Sequence, residues 1–335
     1  MQIYHHINDF KPLENAVVTI GTFDGVHLGH QKIIHKLVEK AKMLNGESVI
    51  LTFFPHPRMI LNPADHQLKM INTMAEKANL LNDLGVDHLI ITPFTRDFSN
   101  QTAEEYIREV LIKQIGMKAM VIGYDHRFGK DRSGNLSDLL HFGERYCYEV
   151  DEIPEQDIDD LAVSSTRIRN ALAVGNVDAA HELMGHPYAL TGKVIRGDQI
   201  GRTLGYPTAN LFVEEGYKLI PSDGIYAVTV EIQESKNKNQ EIQNPFDPIY
   251  SKLLTSNSKL YHGMAYIGHR PTINGMSQNI EVNIFDFTKD IYHQTLKMVF
   301  LHFIRHDVKF EGLEKLKEQL AIDKQSTLAF FETKN

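Results

Sequence analysis

The sequence predicts an α/β chain in two parts. Residues 1–185 read as a parallel β-sheet with helices on both faces, and residues 186–335 as an antiparallel β-barrel or sandwich with a terminal helix. Two observations carry this. As far as Gly185, short apolar runs alternate with segments whose apolar residues recur at helical spacing, the pattern of βαβ units. Beyond it, short strand-like runs are separated by Gly, Pro and Asn, the pattern of antiparallel sheet. A length of 335 residues suits two domains of ordinary size.

The first half starts with an apolar strand at Ala16–Ile20. His30–Leu44 follows as a helix with Ile33, Ile34, Leu37, Val38 and Ala41 on one face. Strands are expected at Ser48–Phe54, His88–Ile91, Met120–Ile122 and Tyr146–Val150. Helices are expected at Met74–Leu84, stopping at Gly85, and at Ser137–Arg145. Thr102 and Glu105 have capping-box spacing and open a helix that runs to Ile115. In the second half, strands are expected at Ala189–Ile195, Thr208–Val213, Gly224–Ile232, Met264–Ile267, Ile280–Phe287 and Leu296–Ile304. A last helix places Leu313, Leu316, Leu320 and Ile322 near one stripe. The polar stretch Glu234–Lys259 reads as a surface loop inserted between strands.

Composition narrows the function. The apolar fraction is 42% and the charged fraction 23%, both ordinary for a globular protein with real cores. The net charge of -8 lacks the basic excess of a general nucleic-acid binder. Small anionic ligands remain compatible, since they need only a few local donors. Cys147 is the only cysteine, which rules out an intrachain disulfide and a cysteine zinc cluster. No apolar run approaches the roughly 18 residues of a membrane span, and the N-terminus lacks a signal-peptide pattern. The expectation is a cytoplasmic enzyme with small-molecule partners, no nucleic acid and no membrane. The sequence leaves its oligomeric state open.

The strongest motif is Gly21-Thr22-Phe23-Asp24-Gly25-Val26-His27-Leu28-Gly29-His30. It leaves a strand, turns on glycines and enters a helix, which places backbone N–H groups where a phosphate can bind. His27 and His30, three residues apart, could face one way and bond a triphosphate while charge builds at its α-phosphorus. A plain strand–turn–helix junction is the bland alternative. A zinc site is weaker still, with no third ligand nearby.

Three further segments belong with this one. Val163-Ser164-Ser165-Thr166-Arg167-Ile168-Arg169 follows the acidic run Asp157–Asp160 and reads either as a helix cap or as hydroxyls and an arginine for phosphates. Phe53-Phe54-Pro55-His56-Pro57-Arg58 and Gly123-Tyr124-Asp125-His126-Arg127-Phe128-Gly129 follow strands, where open α/β sheets bind ligands. Either could be only a rigid loop.

In the second half, Gly192-Lys193-Val194-Ile195-Arg196-Gly197 leads to Gly201-Arg202-Thr203-Leu204-Gly205-Tyr206-Pro207-Thr208-Ala209-Asn210. This is no Walker A loop, yet a glycine-rich flap can still fold N–H groups over phosphates. Thr208 and Asn210 lie two residues apart on one side of a strand and could ligate magnesium. Glu281 is a lone acid among hydrophobes, which by itself reads as surface decoration.

Together, these segments resemble the bacterial bifunctional riboflavin kinase/FAD synthetase family. In order they are G-x-F-D-G-x-H-x-G-H, F-x-P-H-P, G-x-D-x-R-F-G, S-S-T-R-I-R, G-R-x-L-G-Y-P-T-A-N, P-x-x-G-I-Y, G-x-R-P-T and E-V-x-x-x-D-F. The resemblance covers nearly the whole chain. It implies a Rossmann-like nucleotidyltransferase domain followed by a riboflavin kinase barrel, with riboflavin, FMN and ATP as substrates and Mg2+ as metal. For FMN adenylylation it implies ATP at Gly21, Phe23, Asp24, Gly25, His27, Gly29, His30, Ser164, Thr166 and Arg169. It implies flavin at Pro55, His56, Pro57, Asp125, His126, Arg127 and Phe128; many relatives carry Phe in place of His126. For the kinase it implies ATP at Gly192, Lys193, Gly197, Gly201, Thr203, Thr208 and Asn210. Metal falls to Thr208 and Asn210, flavin to Gly205 and Arg305, and the ribityl hydroxyl proton to Glu281. Arg305 opens an R-x-x-x-K-F pattern with Asp307 inside it. A single-activity enzyme and a non-catalytic flavin or nucleotide sensor are the rival readings.

Overall fold

The computed structural model describes residues 1–62, 68–124, 126–154, 163–197, 199–233, 259–272 and 275–334. Asp125, the acidic run Asp157–Asp160 and the Glu234–Lys259 loop up to residue 258 lie outside the described residues. The chain forms two compact units, Met1–Ser165 and Thr166–Asn335. The sequence places its line at Gly185 instead. The intervening stretch forms helices Ser165–Ala173 and Val177–Met184, the second of which packs on strands of the second unit.

The first unit contains β1 (Gln2–Tyr4), β2 (Ala16–Ile20), β3 (Glu47–Phe53), β4 (His88–Thr92), β5 (Met117–Gly123) and β6 (Glu149–Ile153). They form one sheet in the order β1-β4-β3-β2-β5-β6, and every pairing is parallel. All residues of β2 and β4 are buried, as expected where both faces carry helices. From β2 the chain steps outward to β3 and β4 on one side and then returns to β5 and β6 on the other, so the order reverses there. The crevice beyond the carboxyl ends of β2 and β5 is thus the switch point where such sheets take ligands.

Helix Leu28–Met43 buries Ile34, Leu37 and Ala41 against the sheet. Capping boxes start three other helices, at Thr73–Glu76, Thr102–Glu105 and Asn135–Asp138. The helix opened at Thr102 continues from Tyr106 to Ile115 with π rather than α geometry, which nothing in its sequence explains. It ends at Gly116, whose φ of 81° is left-handed and whose Cα faces the Leu13 carbonyl too closely for a side chain. Tyr146 closes helix Leu136–Tyr146, so the last strand starts later than the expected Tyr146.

In the second unit, β7 (Tyr188–Ile195), β8 (Ala209–Phe212), β9 (Gly224–Gln233), β10 (Leu260–Thr272), β11 (Gly275–Ile284) and β12 (Thr295–Arg305) close a barrel. Its order is β10-β11-β8-β7-β12-β9 and its pairings are antiparallel. The barrel, not the sandwich, is the architecture, and closure leaves no free sheet edge. Tyr188, Leu190, Tyr226, Val228, Leu296, Met298 and Phe300 are fully buried.

Helix Leu313–Lys334 packs on β9, β10 and β12. Its buried face takes only part of the expected leucine stripe: Leu316 and Leu320 are half-buried on it. Leu313 and Ile322 are exposed, and Asp323, Thr327 and Phe331 are buried at four-residue spacing. A buried aspartate is tolerable because Arg305 on β12 grips it with Nε and a terminal nitrogen, both at 2.7 Å.

Candidate active sites

The first site forms at the carboxyl end of β2. Between Gly21 and His27 the backbone takes left-handed φ values at Phe23 (45°), Gly25 (89°) and Val26 (39°). For β-branched Val26 that conformation is strained. His27 then caps the following helix, its Nδ1 accepting the His30 backbone N–H at 3.3 Å. The first helical N–H groups, on Leu28 and Gly29, have no acceptor within the helix. The two imidazoles stack, with centroids 3.5 Å apart and planes 17° apart, and Phe23 packs edge-on against His30.

Both imidazoles are held neutral. Burial pushes His27 down to about 4, against the opposing pull of Asp24. Burial, followed by the charges of His27 and Lys77, holds His30 well below its ordinary value. Because neutral His27 accepts at Nδ1, its proton sits on Nε2, and that edge is a donor. Buried His30 Nδ1 has no hydrogen-bond partner among the described residues.

Asp24 is placed differently from its neighbours. It is 1% exposed, and its carboxylate accepts the backbone N–H groups of Ile71 (3.0 Å) and Asn72 (3.3 Å). Ser165 Oγ donates to its carbonyl at 2.8 Å. Ser165 opens the helix Ser165–Ala173, which also carries Thr166 and Arg169. Lys77 is a site residue that sequence reasoning misses. Its side chain is 0% exposed, and its Nζ donates to Thr22 O at 2.7 Å. The only signal for it is one lysine in the Met74–Asp83 helix, which looks like any surface lysine.

Beside this loop in the sheet order, β3 leads into Pro55, His56 and Pro57, with a cis Phe54–Pro55 bond. His56 Nδ1 accepts the Arg58 N–H and caps a short helix. Past β5, His126 stacks beside Phe128 with centroids 5.9 Å apart, and Phe128 lies near Tyr106. Arg127 is exposed. Phe53, Phe94, Phe98 and Tyr106 continue this aromatic set.

The second site lies on the barrel, where β8 pairs with β11. Asn210 and Glu281 are register partners. Thr208 Oγ1 donates to Glu281 Oε2 at 2.7 Å, and Asn279 Nδ2 donates to Oε1 at 2.5 Å. Glu281 is 8% exposed, so it is no surface decoration. Its strand is buried on both faces from Ile280 to Ile284, which is why alternation gave no face assignment. Asn283 Nδ2 holds the Pro207 carbonyl at 2.7 Å and so fixes the entry into β8.

The glycine-rich segment borders these residues. A Cβ on Gly197 would lie within 2.6 Å of the side-chain amide of Asn210, so any other residue there displaces that side chain. Gly201 lies against the Tyr206 carbonyl in a short helix, Ile200–Thr203, that includes Thr203. Gly205 turns with φ of 87°. Gly192 sits within β7, close to the Phe212 carbonyl, and Lys193 pairs with Glu214 on the surface. Arg305 is engaged with Asp323, as described above, and also donates to the His306 carbonyl. No cluster of three or more His, Cys, Asp or Glu suited to a metal occurs among the described residues. The side-chain oxygens of Thr208 and Asn210 are hard donors of the kind a divalent cation takes.

Comparison with known proteins finds two families along the chain. Residues 9–167 match the family model described as FAD synthetase, and residues 184–331 the one described as riboflavin kinase. The bifunctional riboflavin kinase/FMN adenylyltransferase of Haemophilus influenzae is 34% identical over 98% of this chain and 97% of its own. That of Listeria monocytogenes is 35% identical over 95% and 93%, and that of Escherichia coli 33% over 96% and 94%. A crystal structure described as a macrolide-efflux protein from Streptococcus pneumoniae superposes with a TM-score of 0.82 at 33% identity, covering 97% of this chain and 98% of that one. No described helix is long and apolar enough to cross a membrane. By these matches along nearly its entire length, the chain belongs to the bifunctional riboflavin kinase/FMN adenylyltransferase family.

Proposed function

We infer that the two sites divide the family's two activities: the barrel phosphorylates riboflavin with ATP to FMN, and the His27/His30 loop adenylylates FMN with a second ATP to FAD. The observation that carries this is the meeting of Thr208 and Asn210 with Glu281, 73 positions after Thr208, around one buried carboxylate.

In the kinase step, Glu281 takes the proton of the ribityl 5′-hydroxyl as its oxygen bonds to the γ-phosphorus of ATP and ADP leaves. Thr208 and Asn279 orient the carboxylate through its two oxygens. Gly192, Lys193, Gly197, Gly201 and Thr203 frame the nucleotide, and Gly205 the flavin. Thr208 and Asn210 are the oxygens that would hold Mg2+, which when bound neutralises charge on the phosphates. Arg305 serves the flavin side by anchoring the terminal helix.

In the second step, an FMN phosphate oxygen attacks the ATP α-phosphorus and pyrophosphate leaves, with no covalent enzyme intermediate. His27 and His30, neutral at pH 7, act as hydrogen-bond donors to the phosphates rather than as fixed cations. The N–H groups at Gly25–Gly29 add the partial positive charge of a helix start. Ser164, Thr166 and Arg169 contribute phosphate contacts, and Pro55–Pro57 with His126, Arg127 and Phe128 form the flavin side. The domain line at Gly185 separates the two functional assignments.

The test is a product assay. Purified protein with riboflavin, ATP and Mg2+, its flavins separated by chromatography, yields FMN first and then FAD. FMN alone would refute the role given to the His27/His30 loop, and turnover of neither flavin would refute both roles.

A further inference from the structure

Two charged side chains at the first site never reach its surface. Lys77 is 0% exposed and Asp24 is 1% exposed. Neither side chain is open to a nucleotide in this arrangement, and burying charge is costly unless something compensates. A methionine or leucine would fill the space of Lys77 at lower cost. The bonds they make show what the charge secures. Lys77, on helix Met74–Asp83, donates to the backbone of the loop at Thr22 O. Asp24, on the loop, accepts from the backbone that leads into that helix, at Ile71 and Asn72. Each segment therefore holds the main chain of the other. Ser165 Oγ holds the Asp24 carbonyl from a third direction.

These anchors bracket Phe23 and lead directly into Gly25 and Val26, all three with left-handed φ, a strained conformation at Phe23 and Val26. Strain of this kind persists only where the surroundings over-determine it. It also sets where His27 and the first helical N–H groups point. The geometry points to Lys77 and Asp24 as positioning residues for adenylyl transfer, a reciprocal pair of side-chain-to-backbone bonds that holds the Thr22–Val26 turn in its phosphate-binding shape. This rests on the reading of the His27/His30 loop as the adenylyl-transfer site. The two residues act on the reaction through the turn alone, since each is sealed from the substrate.

The test measures FMN adenylylation by the full chain for Lys77→Met, which keeps volume and removes the donor, and for Lys77→Arg, which keeps a cationic donor. Assays are run at a temperature where amide exchange in β2, β3 and β5 is as slow as in the wild type. Lys77→Met lowers kcat by about tenfold to a hundredfold, the scale of an ångström-sized misplacement. The KM for ATP moves by less than about threefold, exchange at residues 22–27 speeds up, and riboflavin phosphorylation in the same sample is unchanged. Lys77→Arg recovers part of the lost kcat. Should Lys77→Met not fold, Asp24→Ala, which removes the acceptor of both the Ile71 and Asn72 N–H groups, gives the same selective loss of kcat.

A kcat within about twofold of wild type in folded Lys77→Met or Asp24→Ala overturns the proposal. Equal losses in Lys77→Met and Lys77→Arg also overturn it, because packing alone would then account for both. His30→Ala, assayed in parallel, separates this from failure of the underlying reading. Should His30→Ala still convert FMN to FAD, the site assignment falls and the positioning role with it. Should His30→Ala be inactive while Lys77→Met is normal, only the positioning role falls.

Discussion

Replacing Arg305 by methionine tests how the barrel unit is held together. The change keeps an aliphatic stem and removes a guanidinium that bonds both oxygens of Asp323 at 2.7 Å. Asp323 is 1% exposed and Arg305 21%. The residue left behind is therefore the one with almost no access to water, and Gln319 Nε2 at 2.9 Å is a neutral donor to the same carboxylate. Breaking a buried ion pair from one side costs about 3–5 kcal/mol. The surviving Gln319 bond and the partial exposure of Arg305 place the expected loss near the lower end, about 3 kcal/mol. For a unit of this size that corresponds to a drop of about 6–12 °C in its melting temperature. Calorimetry, paired with thermal inactivation of each activity, reads this out. Riboflavin phosphorylation is lost at the lower temperature, while FMN adenylylation keeps its wild-type profile. A shift below about 2 °C, or loss of both activities together, would show that the ion pair does not anchor the terminal helix.

Three further outcomes follow from the same geometry. Because burial lowers His27 to about 4 and His30 well below its ordinary value, the unfolded chain binds these protons first as pH falls. The first unit therefore keeps this stability above about pH 6.5 and loses it as pH drops toward 4. Melting measured across that window shows the slope, and His27→Gln flattens it. Gly197→Ala drives a methyl into Asn210, raising the KM for Mg-ATP in riboflavin phosphorylation by about tenfold, a loss of roughly 1.4 kcal/mol, with FMN adenylylation untouched. Thr73→Ala removes a capping box at the helix that carries Lys77 and destabilises the first unit by about 1 kcal/mol, measured by denaturant unfolding.

Much of the fold was legible because its signals are local. Apolar runs such as Ala16–Ile20 and the Thr102/Glu105 capping pair need no partner to be recognised. The paired histidines were also legible, since three-residue spacing at a helix start puts both on one side. What stayed hidden depends on partners distant in sequence. Glu281 reads as a surface acid until β8 brings Thr208 to it. The leucine stripe of the last helix packs only through Leu316 and Leu320. Leu313 and Ile322 stay exposed, and Asp323 takes a buried position because Arg305, from β12, pairs with its carboxylate. Lys77 is invisible for the same reason, its acceptor being a loop carbonyl 55 positions away. Strand Gln2–Tyr4 is too short to show a period, and only its pairing with β4 defines it.

The central claim is that one chain holds two independent phosphate-transferring sites. The most direct measurement supplies riboflavin or FMN separately to Glu281→Gln and to His30→Ala, each with ATP and Mg2+, and quantifies the flavins formed. The account predicts that Glu281→Gln makes no FMN from riboflavin yet converts added FMN to FAD, whereas His30→Ala accumulates FMN and makes no FAD. Loss of both conversions in either folded variant would contradict it.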